Sequence, residues 1–397
     1  MRNAAAGRQA PISPPPFTAS SLADAGRQPM TMNDKVLVNL LWCVPGQVGG
    51  SEEYLVRQLL GLAEQPEQRW ALTAAIAHGM NAAHPELSGV ATVVEPSFDS
   101  RNRVRRILGE ATWLRRACAD AVVVHHGGGT APLRSHRPYV LTVHDLQFRT
   151  YPQYFSRTKR AYLAAVIPRS VRRAAVVAVP SAYVRESVIA AYGASPERVL
   201  VVPHGIEPTL ADEITPSDEL RDRYGLGDGP IVVYPAITHP HKNHKFLLEL
   251  MRKHWTDPDL RLVLAGGTGS AEYAIEACTD RRVIRLGRVS PADRNGLLTM
   301  ADAMVFPSEY EGFGAPLIEA MTLGSPVICS NATCMPDIVG DAGLVLPLEL
   351  DAWAVALDEV RRRRNELVNA GHRRALAFTS FASGAALAAA YAQAAAT

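Results

Sequence analysis

Several features that would place the chain in a specialised class are missing from its sequence. Its 397 residues contain no run of about 18 apolar residues, so a membrane-spanning helix is not expected. The formal net charge is only +2, which argues against a nucleic-acid partner. The five cysteines are scattered without paired zinc spacing, which favours reduced thiols and a cytoplasmic location.

Two catalytic signatures and a secretory signal are also missing. No Gly-x-Ser-x-Gly elbow accompanies the His-His-Gly-Gly-Gly loop at residues 125–129, so an esterase is not indicated. The glycine loop at residues 266–269 lacks the full dinucleotide fingerprint, which weakens the case for a dehydrogenase. Residues 1–32 are rich in Ala, Pro, Ser and Arg and have no continuous apolar stretch. We therefore predict a disordered extension there rather than a secretory signal.

What the sequence does contain is a long alternation of strand-like and helix-like segments. Apolar runs rich in Val, Ile and Leu recur from residues 36–41 to residues 326–329. Such runs are typical of parallel strands that are buried on both faces. They are too numerous for one sheet of ordinary size. We therefore predict an α/β protein with two doubly wound, Rossmann-like domains that face a cleft.

Turn-forming residues suggest where the domains begin and end. We predict an N-terminal domain over residues 33–206 and a second domain over residues 207–374. Several Pro and Gly residues within 207–229 indicate a linker between them. The Ala-rich residues 375–397 predict a final helix, which we expect to cross back to the N-terminal domain.

The densest group of chemically useful residues follows a predicted strand near residue 306. Glu311 precedes the turn Gly312-Phe313-Gly314, and Pro316 is well placed to begin a helix that carries Glu319. Glycine lets a ligand approach the backbone closely. The N–H groups up to Leu317 would face an anion at the helix N-terminus. The segment thus predicts one site for sugar hydroxyls and a diphosphate.

This segment resembles the signature of a known family. The spacing Glu311-x7-Glu319 is similar to that of retaining glycosyltransferases of family 4, and the segments at 324–328 and 335–343 strengthen the resemblance. The resemblance runs from about residue 36 to about residue 343. It implies the GT-B fold and a hexosyltransferase of the bacterial surface-polysaccharide type. It also implies a nucleotide-sugar donor, and an acceptor that is a glycan or a polyprenyl-diphosphate-linked glycan bound by the N-terminal domain.

The same resemblance implies roles for residues in the second domain. Glu311 and the backbone of Gly312-Phe313-Gly314 would contact the donor sugar and phosphates, and Glu319 would hold the ribose hydroxyls. Lys242 would neutralise the departing diphosphate. The family's usual arginine in that loop is absent near Ile237. We expect His241 or Arg288 to compensate. Arg288 and Val289 would also lie against the nucleotide base.

The resemblance also implies two contributions from the first domain. Gly49 and Gly50 resemble the glycine loop that reaches across the cleft to the donor phosphates. His144 follows a predicted strand and would lie near the reacting centre. Asp145 is expected to orient its imidazole and fix the tautomer. His144, Glu311 and Lys242 are therefore the predicted catalytic residues.

Several alternatives stay open at the level of sequence. His239, His241 and His244 form a rival metal site, although a loop holding Lys242 suits an anion better and no metal cofactor is expected. The arginine-rich segment 101–116 is either a contact for anionic lipid at the inner face of the membrane or for a polyprenyl-diphosphate acceptor, or else a solvated helix face. A sugar phosphorylase or epimerase and a non-catalytic sugar-nucleotide binder are the rival functions. GDP-mannose is the predicted donor because the Pro-His-Lys-Asn-His loop resembles those of mannosyltransferases.

Overall fold

The computed structural model of the chain describes residues 34–46 and 50–397. These residues form two parallel β-sheets with helices packed against them, and the predicted α/β class with two Rossmann-like units is confirmed. The predicted extension at residues 1–32 and Gly49 lie outside the described residues. Every helix in the described ranges is too short or too polar to cross a bilayer.

The first sheet is built from strands that are short and largely apolar. Its members in the described ranges are β1 (Asp34–Leu40), β2 (Trp70–Ile76), β3 (Thr92–Val94), β4 (Val123–His126), β5 (Tyr139–Thr142), β6 (Val176–Val179) and β7 (Val199–Val201). The spatial order is β3-β2-β1-β4-β5-β6-β7, and all neighbouring strands are parallel. The strands β4, β5 and β6 are buried along their whole length, as expected for the middle of a sheet covered on both faces.

The second sheet repeats this design. Its strands, again within the described ranges, are β8 (Ile231–Tyr234), β9 (Arg261–Leu264), β10 (Val283–Arg285), β11 (Ala303–Phe306), β12 (Val327–Ser330) and β13 (Gly343–Leu346). They lie in the order β10-β9-β8-β11-β12-β13, all parallel. In both sheets the strand order reverses beside the first strand, which opens a crevice at the carboxyl ends.

The helices connect successive strands. Those in the described part of the chain are α1 (Gly50–Ala63), α2 (Met80–Ala83), α3 (Leu87–Val90), α4 (Arg103–Ala117), α5 (Gln147–Thr150), α6 (Arg157–Arg173), α7 (Ala182–Tyr192), α8 (Ser217–Tyr224), α9 (His244–Lys253), α10 (Tyr273–Glu276), α11 (Pro291–Met300), α12 (Ala315–Thr322), α13 (Met335–Val339), α14 (Leu350–Ala354), α15 (Ala356–Ala375) and α16 (Ser380–Ala395). Short 3-10 turns occur at Pro152–Tyr154, Pro196–Arg198, Pro208–Ala211, Pro240–Lys242 and Leu376–Phe378.

The segment at 207–229 is more ordered than the linker that its Pro and Gly residues suggest. It contains α8, which ends at Gly225 in the left-handed conformation. Leu210, Leu220 and Leu226 are buried in the core of the second sheet. Their burial fixes the segment to the second domain, and Gly225 serves as a helix end rather than as a flexible joint.

Helix α16 returns to the first sheet and packs along α1. Leu387 and Tyr391 are fully buried in the core of that sheet. The two helices approach so closely that a Cβ added to Gly384 would lie 2.1 Å from the carbonyl carbon of Gly61. Packing of α16 on the first sheet therefore depends on glycine at this contact.

The chain passes between the sheets twice, and the two passages lie side by side. The Ile206 N–H donates to the Phe378 carbonyl at 2.8 Å, and the Ser380 N–H donates to the Ile206 carbonyl at 3.0 Å. Ile206 and Thr379 form an isolated parallel bridge. Backbone hydrogen bonds thus join the two connections.

Candidate functional site

An ion pair stands in the loop that follows β11. Glu311 lies between the end of β11 and the start of α12, and its N–H donates to the Thr333 hydroxyl at 3.1 Å. The Lys242 ammonium, in the loop after β8, is 2.6 Å from the Glu311 carboxylate. The two side chains are only 16% and 12% exposed. A partly buried cation and carboxylate are therefore held together at the carboxyl ends of adjacent strands.

The glycine turn after Glu311 is docked on the first domain. A Cβ at Gly312 would lie 2.3 Å from the His144 carbonyl oxygen, so no larger residue fits there without movement. The Gly312 carbonyl accepts a hydrogen bond from the Ser181 hydroxyl at 2.7 Å. Gly314 has a φ of +85°, which favours glycine. The glycines are thus required by the contact between domains and by the turn.

Phe313 contributes its ring to a column of aromatic side chains across the domain boundary. It stacks on His204 at 4.5 Å between ring centroids, and His204 stacks on Tyr54 of α1 at 4.0 Å. The Tyr54 ring meets His144 edge to face at 5.6 Å. Since the Phe313 ring is buried in this column, only its backbone is placed to contact a ligand.

His144 is held by a backbone carbonyl rather than by Asp145. Its Nε2–H donates to the Gly127 carbonyl at 2.7 Å, whereas the Asp145 carboxylate accepts from the Gln147 N–H at 2.8 Å. The expectation that Asp145 orients the imidazole is therefore wrong, because that carboxylate caps the turn that starts α5. Burial lowers the pKa of His144 to about 4, so the ring is neutral at pH 7. Its buried Nδ1 then carries the lone pair and has no partner among the described residues.

The carboxyl group of Asp145 also faces the Glu311 region. Burial and then the negative charge of Glu311 raise its pKa. Carboxylates from both domains thus lie close to the Lys242 ammonium, which lowers the pKa of Asp145 in turn. The site combines acceptors for hydroxyl hydrogens with one cation.

Glu319, one turn into α12, takes part in a buried ion network between the domains. Its Oε1 is 3.1 Å from Nη1 of Arg57 in α1, and its Oε2 is 3.7 Å from Nη1 of Arg294. Nε of Arg57 also contacts the Glu207 carboxylate at 3.2 Å. Burial alone would raise the pKa of Glu319, but the charges of Arg294 and Arg57 hold it below its usual value. No motif in the sequence points to Arg57, because only the fold brings it to Glu319.

The two candidates for the absent arginine differ in charge and place. His241 is partly buried, and burial followed by the charge of Lys242 lowers its pKa to about 3, so it is neutral at pH 7. Arg288 is exposed, in the loop before α11. Its Nη1 would be 4.0 Å from a Cβ on Gly46, in the loop between β1 and α1. Ile237 is 36% exposed and adds no charge.

The remaining predicted donor residues differ in how far they face a ligand. Leu317 is fully buried in the second core, and its N–H donates to the Gly314 carbonyl, so it is not a free donor. Val289 packs partly buried against the same core. Gly50 is exposed as the first residue of α1 and has open space around its Cα.

The histidine loop does not form a metal centre in this arrangement. In residues 34–46 and 50–397, no three His, Cys, Asp or Glu side chains are placed to hold an ion. The rings of His239 and His241 are 5.8 Å apart, and His244 instead packs on Tyr234. The prediction that the reaction uses no metal is not tested by this arrangement.

Two family models match the chain. Residues 48–210 match the family described as Glycosyltransferase Family 4, and residues 216–373 match Glycosyl transferases group 1. O-antigen chain mannosyltransferase B of Escherichia coli is 31% identical over 253 residues, which are 60% of this chain and 65% of that protein. The match to this relative therefore spans just under two thirds of its length. O-antigen chain mannosyltransferase RfbU of Salmonella typhimurium is 26% identical over 327 residues, covering 79% of this chain and 87% of the relative.

Solved structures share the architecture. Anabaena Alr3699/HepE in complex with UDP and glucose superposes with a TM-score of 0.70 at 18% identity, covering 90% of this chain and 99% of that one. WaaG, a glycosyltransferase involved in lipopolysaccharide biosynthesis, gives a TM-score of 0.66 at 17% identity, with 89% and 98% covered. At such identities the similarity establishes the fold alone.

Proposed function

This chain belongs to glycosyltransferase family 4 and has the GT-B fold, and we propose that it is a retaining hexosyltransferase. Its donor is a nucleotide-diphosphate sugar, and its acceptor is a glycan or lipid-linked glycan. The observation that carries the proposal is the pairing of Lys242 with Glu311 beside the Gly312 turn, directly against His144. A cation for phosphate and a carboxylate for hydroxyls thus stand where the two sheets face each other.

Donor binding would exchange partners within this pair. The phosphate oxygens take over the Lys242 ammonium, while sugar hydroxyls donate to the Glu311 carboxylate that it releases. Each buried charge keeps a partner throughout, so little desolvation energy is lost. The neutral His144 adds an acceptor at Nδ1 for a further hydroxyl of the donor sugar.

The proposed chemistry is substitution on one face of the donor sugar. The acceptor oxygen bonds to the anomeric carbon while the bond from that carbon to the phosphate oxygen breaks. The departing phosphate oxygen takes the acceptor proton. Lys242 and the N–H groups at the start of α12 stabilise the negative charge that develops on the diphosphate. Domain closure would exclude water from this step.

The experiment on the transferase itself uses Glu311. We expect Glu311→Gln to reduce the transfer rate by about a hundredfold or more, because a preorganised contact to the reacting sugar is lost. Glu309→Gln is the matched control, since that carboxylate lies in the same loop. Undiminished transfer by the Glu311 variant, or an equal loss in both, would remove Glu311 from the site. An inverted anomeric product by NMR would refute retention.

Mannose carried by GDP is the proposed donor. The support is the mannosyltransferase names of the relatives from Escherichia coli and Salmonella typhimurium. The HepE structures hold UDP and UDP-glucose, so the base needs a direct test. A thermal-shift screen of GDP, UDP, ADP and dTDP is expected to give the largest stabilisation with GDP, since a ligand that binds only the folded state raises its stability. A larger shift with another nucleotide would reassign the base.

We further propose that the protein is cytoplasmic and that it touches the inner face of the membrane through α4. Leu114 of α4 is buried, but Val104 and Leu108 are 67% and 60% exposed beside Arg103 and Arg105. Exposed apolar residues among arginines suit an anionic lipid surface. Val104→Ser with Leu108→Ser should weaken sedimentation with phosphatidylglycerol vesicles, while Thr112→Ser on the same helix should not. Equal sedimentation of all three proteins would leave α4 as a solvated helix.

A further inference from the structure

A pocket lined by arginines lies in the first domain, outside the residues assigned so far. Its volume is about 640 Å³. Its charged lining is Arg149, Arg157 and Arg160, and its apolar lining is Phe148, Pro152, Ala161 and Ala164. The pocket is formed by α5, the 3-10 turn at Pro152–Tyr154 and the first turns of α6.

The charged residues in the chain segment that forms this pocket are of one sign. Residues 146–185 contain eight Arg and Lys residues and no Asp or Glu. In the described part of the chain, none of Arg149, Arg157 and Arg160 forms an ion pair with a carboxylate. Arg149 instead lies 5.4 Å from the ring centroid of Tyr192. Guanidinium groups without a carboxylate partner are suited to bind phosphate, often through two hydrogen bonds.

The floor of the pocket is apolar, which a site for free phosphate does not require. Phe148 is buried in the core, and Ala161 and Ala164 present methyl groups along α6. A ligand that meets both linings carries phosphate on an apolar chain. The combination therefore favours an amphiphilic anion over inorganic phosphate or a sugar alone.

The pocket also adjoins the site of transfer. The segment that begins at Asp145 runs from the cleft through α5 to Pro152 on the pocket wall. Next to that proline, the Tyr151 ring meets Tyr310 of the Glu311 loop edge to face at 5.9 Å. The Tyr310 hydroxyl accepts from the Leu146 N–H at 3.1 Å. One segment of the chain thus forms the pocket wall and also contacts the Glu311 loop at the edge of the cleft.

We propose that the pocket of Arg149, Arg157 and Arg160 binds the diphosphate of a lipid-linked glycan acceptor. This assignment rests on the proposed transferase function and deepens it. The lipid chain leaves over the alanines of α6, and the glycan passes Tyr151 toward Glu311. The helix α6 that lines the pocket also contacts α4, because Arg103 lies 4.2 Å over the ring of Tyr162 in α6. A lipid entering from a membrane beneath α4 would reach it directly.

The test measures binding of farnesyl diphosphate to the full-length chain by calorimetry. GDP and UDP are present at saturation so that the donor site is occupied. We expect Arg157→Gln with Arg160→Gln to weaken this binding at least about tenfold, since charged hydrogen bonds are lost. Arg172→Gln with Arg173→Gln removes the same charge at the other end of α6 and should leave the affinity unchanged.

Further arms separate the sources of the signal. Inorganic diphosphate and farnesol should each bind at least about tenfold more weakly than farnesyl diphosphate, because each meets only one lining. Ala161→Glu keeps the arginines but places a carboxylate in the pocket, and it should also weaken the binding of farnesyl diphosphate at least about tenfold. Unchanged affinity in the Arg157 and Arg160 variant, equal loss in the control, or equal binding of inorganic diphosphate overturns the proposal. The proposal also fails if the Arg157 and Arg160 variant loses binding to phosphatidylglycerol vesicles but keeps its affinity for farnesyl diphosphate. That result would indicate a membrane contact.

Failure of the pocket assignment can be distinguished from failure of the proposed transferase function. Nucleoside-diphosphate affinity should fall in Lys242→Ala and stay unchanged in the pocket variant. If the pocket variant binds farnesyl diphosphate normally while Glu311→Gln abolishes transfer, the function stands and the pocket assignment fails. If Glu311→Gln transfers normally, the function fails whatever the pocket binds.

Discussion

The buried pair of Arg57 and Glu319 permits a quantitative test of how the two domains hold each other. Both side chains are 7% exposed, and their closest atoms are 3.1 Å apart. At an effective dielectric constant of about 20, this distance corresponds to an attraction of about 5 kcal/mol before desolvation. Removing one partner leaves the other buried without it, which typically costs about 3–5 kcal/mol.

Neighbouring charges reduce the expected loss. Arg294 remains 3.7 Å from Glu319 when Arg57 is removed, and Glu207 remains beside Arg57 when Glu319 is removed. We therefore expect Arg57→Gln and Glu319→Gln each to lower the free energy of unfolding by about 3 kcal/mol. The double variant should lose less than the sum, with a coupling energy of about 2 kcal/mol.

Urea unfolding followed by circular dichroism provides the assay, with midpoint and slope compared across the cycle. The exposed pair Lys253 and Glu249 on α9 is the control, because its atoms are 2.5 Å apart but its side chains are 42% and 45% exposed. Its cycle should show no measurable coupling. Additive losses at Arg57 and Glu319, or equal coupling in both cycles, would refute the reasoning from burial.

The pH dependence of this coupling follows from Glu319. The charges of Arg294 and Arg57 hold its pKa below the usual value in the folded protein. The stabilisation is therefore fully present above the ordinary glutamate pKa, and it is lost as the pH falls through the lowered one. A coupling energy that grew on acidification would contradict this sign.

Two further predictions concern the packing of the first domain. Gly384→Ala should destabilise the protein by about 3 kcal/mol in urea unfolding, because the added Cβ would meet the backbone of Gly61. The control Gly89→Ala should be neutral or stabilising, because the space around Gly89 is open. The free energy of unfolding should also fall as the pH drops from about 6.5 toward 4. Burial lowers the pKa of both His126 and His144 to about 4, so the unfolded chain takes up protons at these histidines before the folded protein does. His126→Gln should flatten that slope, and an unchanged slope would remove its contribution.

The sequence predicted the sheets well where strands are rich in Val and Ile. The local signal is weaker in β2, Trp-Ala-Leu-Thr-Ala-Ala-Ile, because three of its seven residues are alanine, which is depleted in strands. This strand forms because it pairs along its whole length with β1, from Asp34 with Trp70 to Leu40 with Ile76. Tertiary pairing of this kind has no local signal.

The candidate site likewise contains residues that local motifs predict and residues that only the fold brings together. Glu311 and Lys242 belong to local motifs, so their positions after strands were predictable. Arg57 is separated from Glu319 by 262 positions and lies on a helix whose pattern indicates only an apolar face. The partner of His144 was mispredicted because packing at the strand end turns its ring toward Gly127 and leaves Asp145 to cap the next turn. Side-chain direction at such positions is set by neighbours that are distant in sequence.

The paired passages at Ile206 and Thr379 have a mechanical consequence. Two bodies joined by one strand can swivel about it, whereas two strands tied by hydrogen bonds resist swivelling and still allow bending. Opening of the cleft should therefore be a hinge motion about the two paired connections, with little rotation of one domain around the other. In a hinge motion of this kind, Arg57 separates from Glu319 on opening and meets it again in the same orientation on closing. Each closure would then restore the contact of Gly312 with His144 directly.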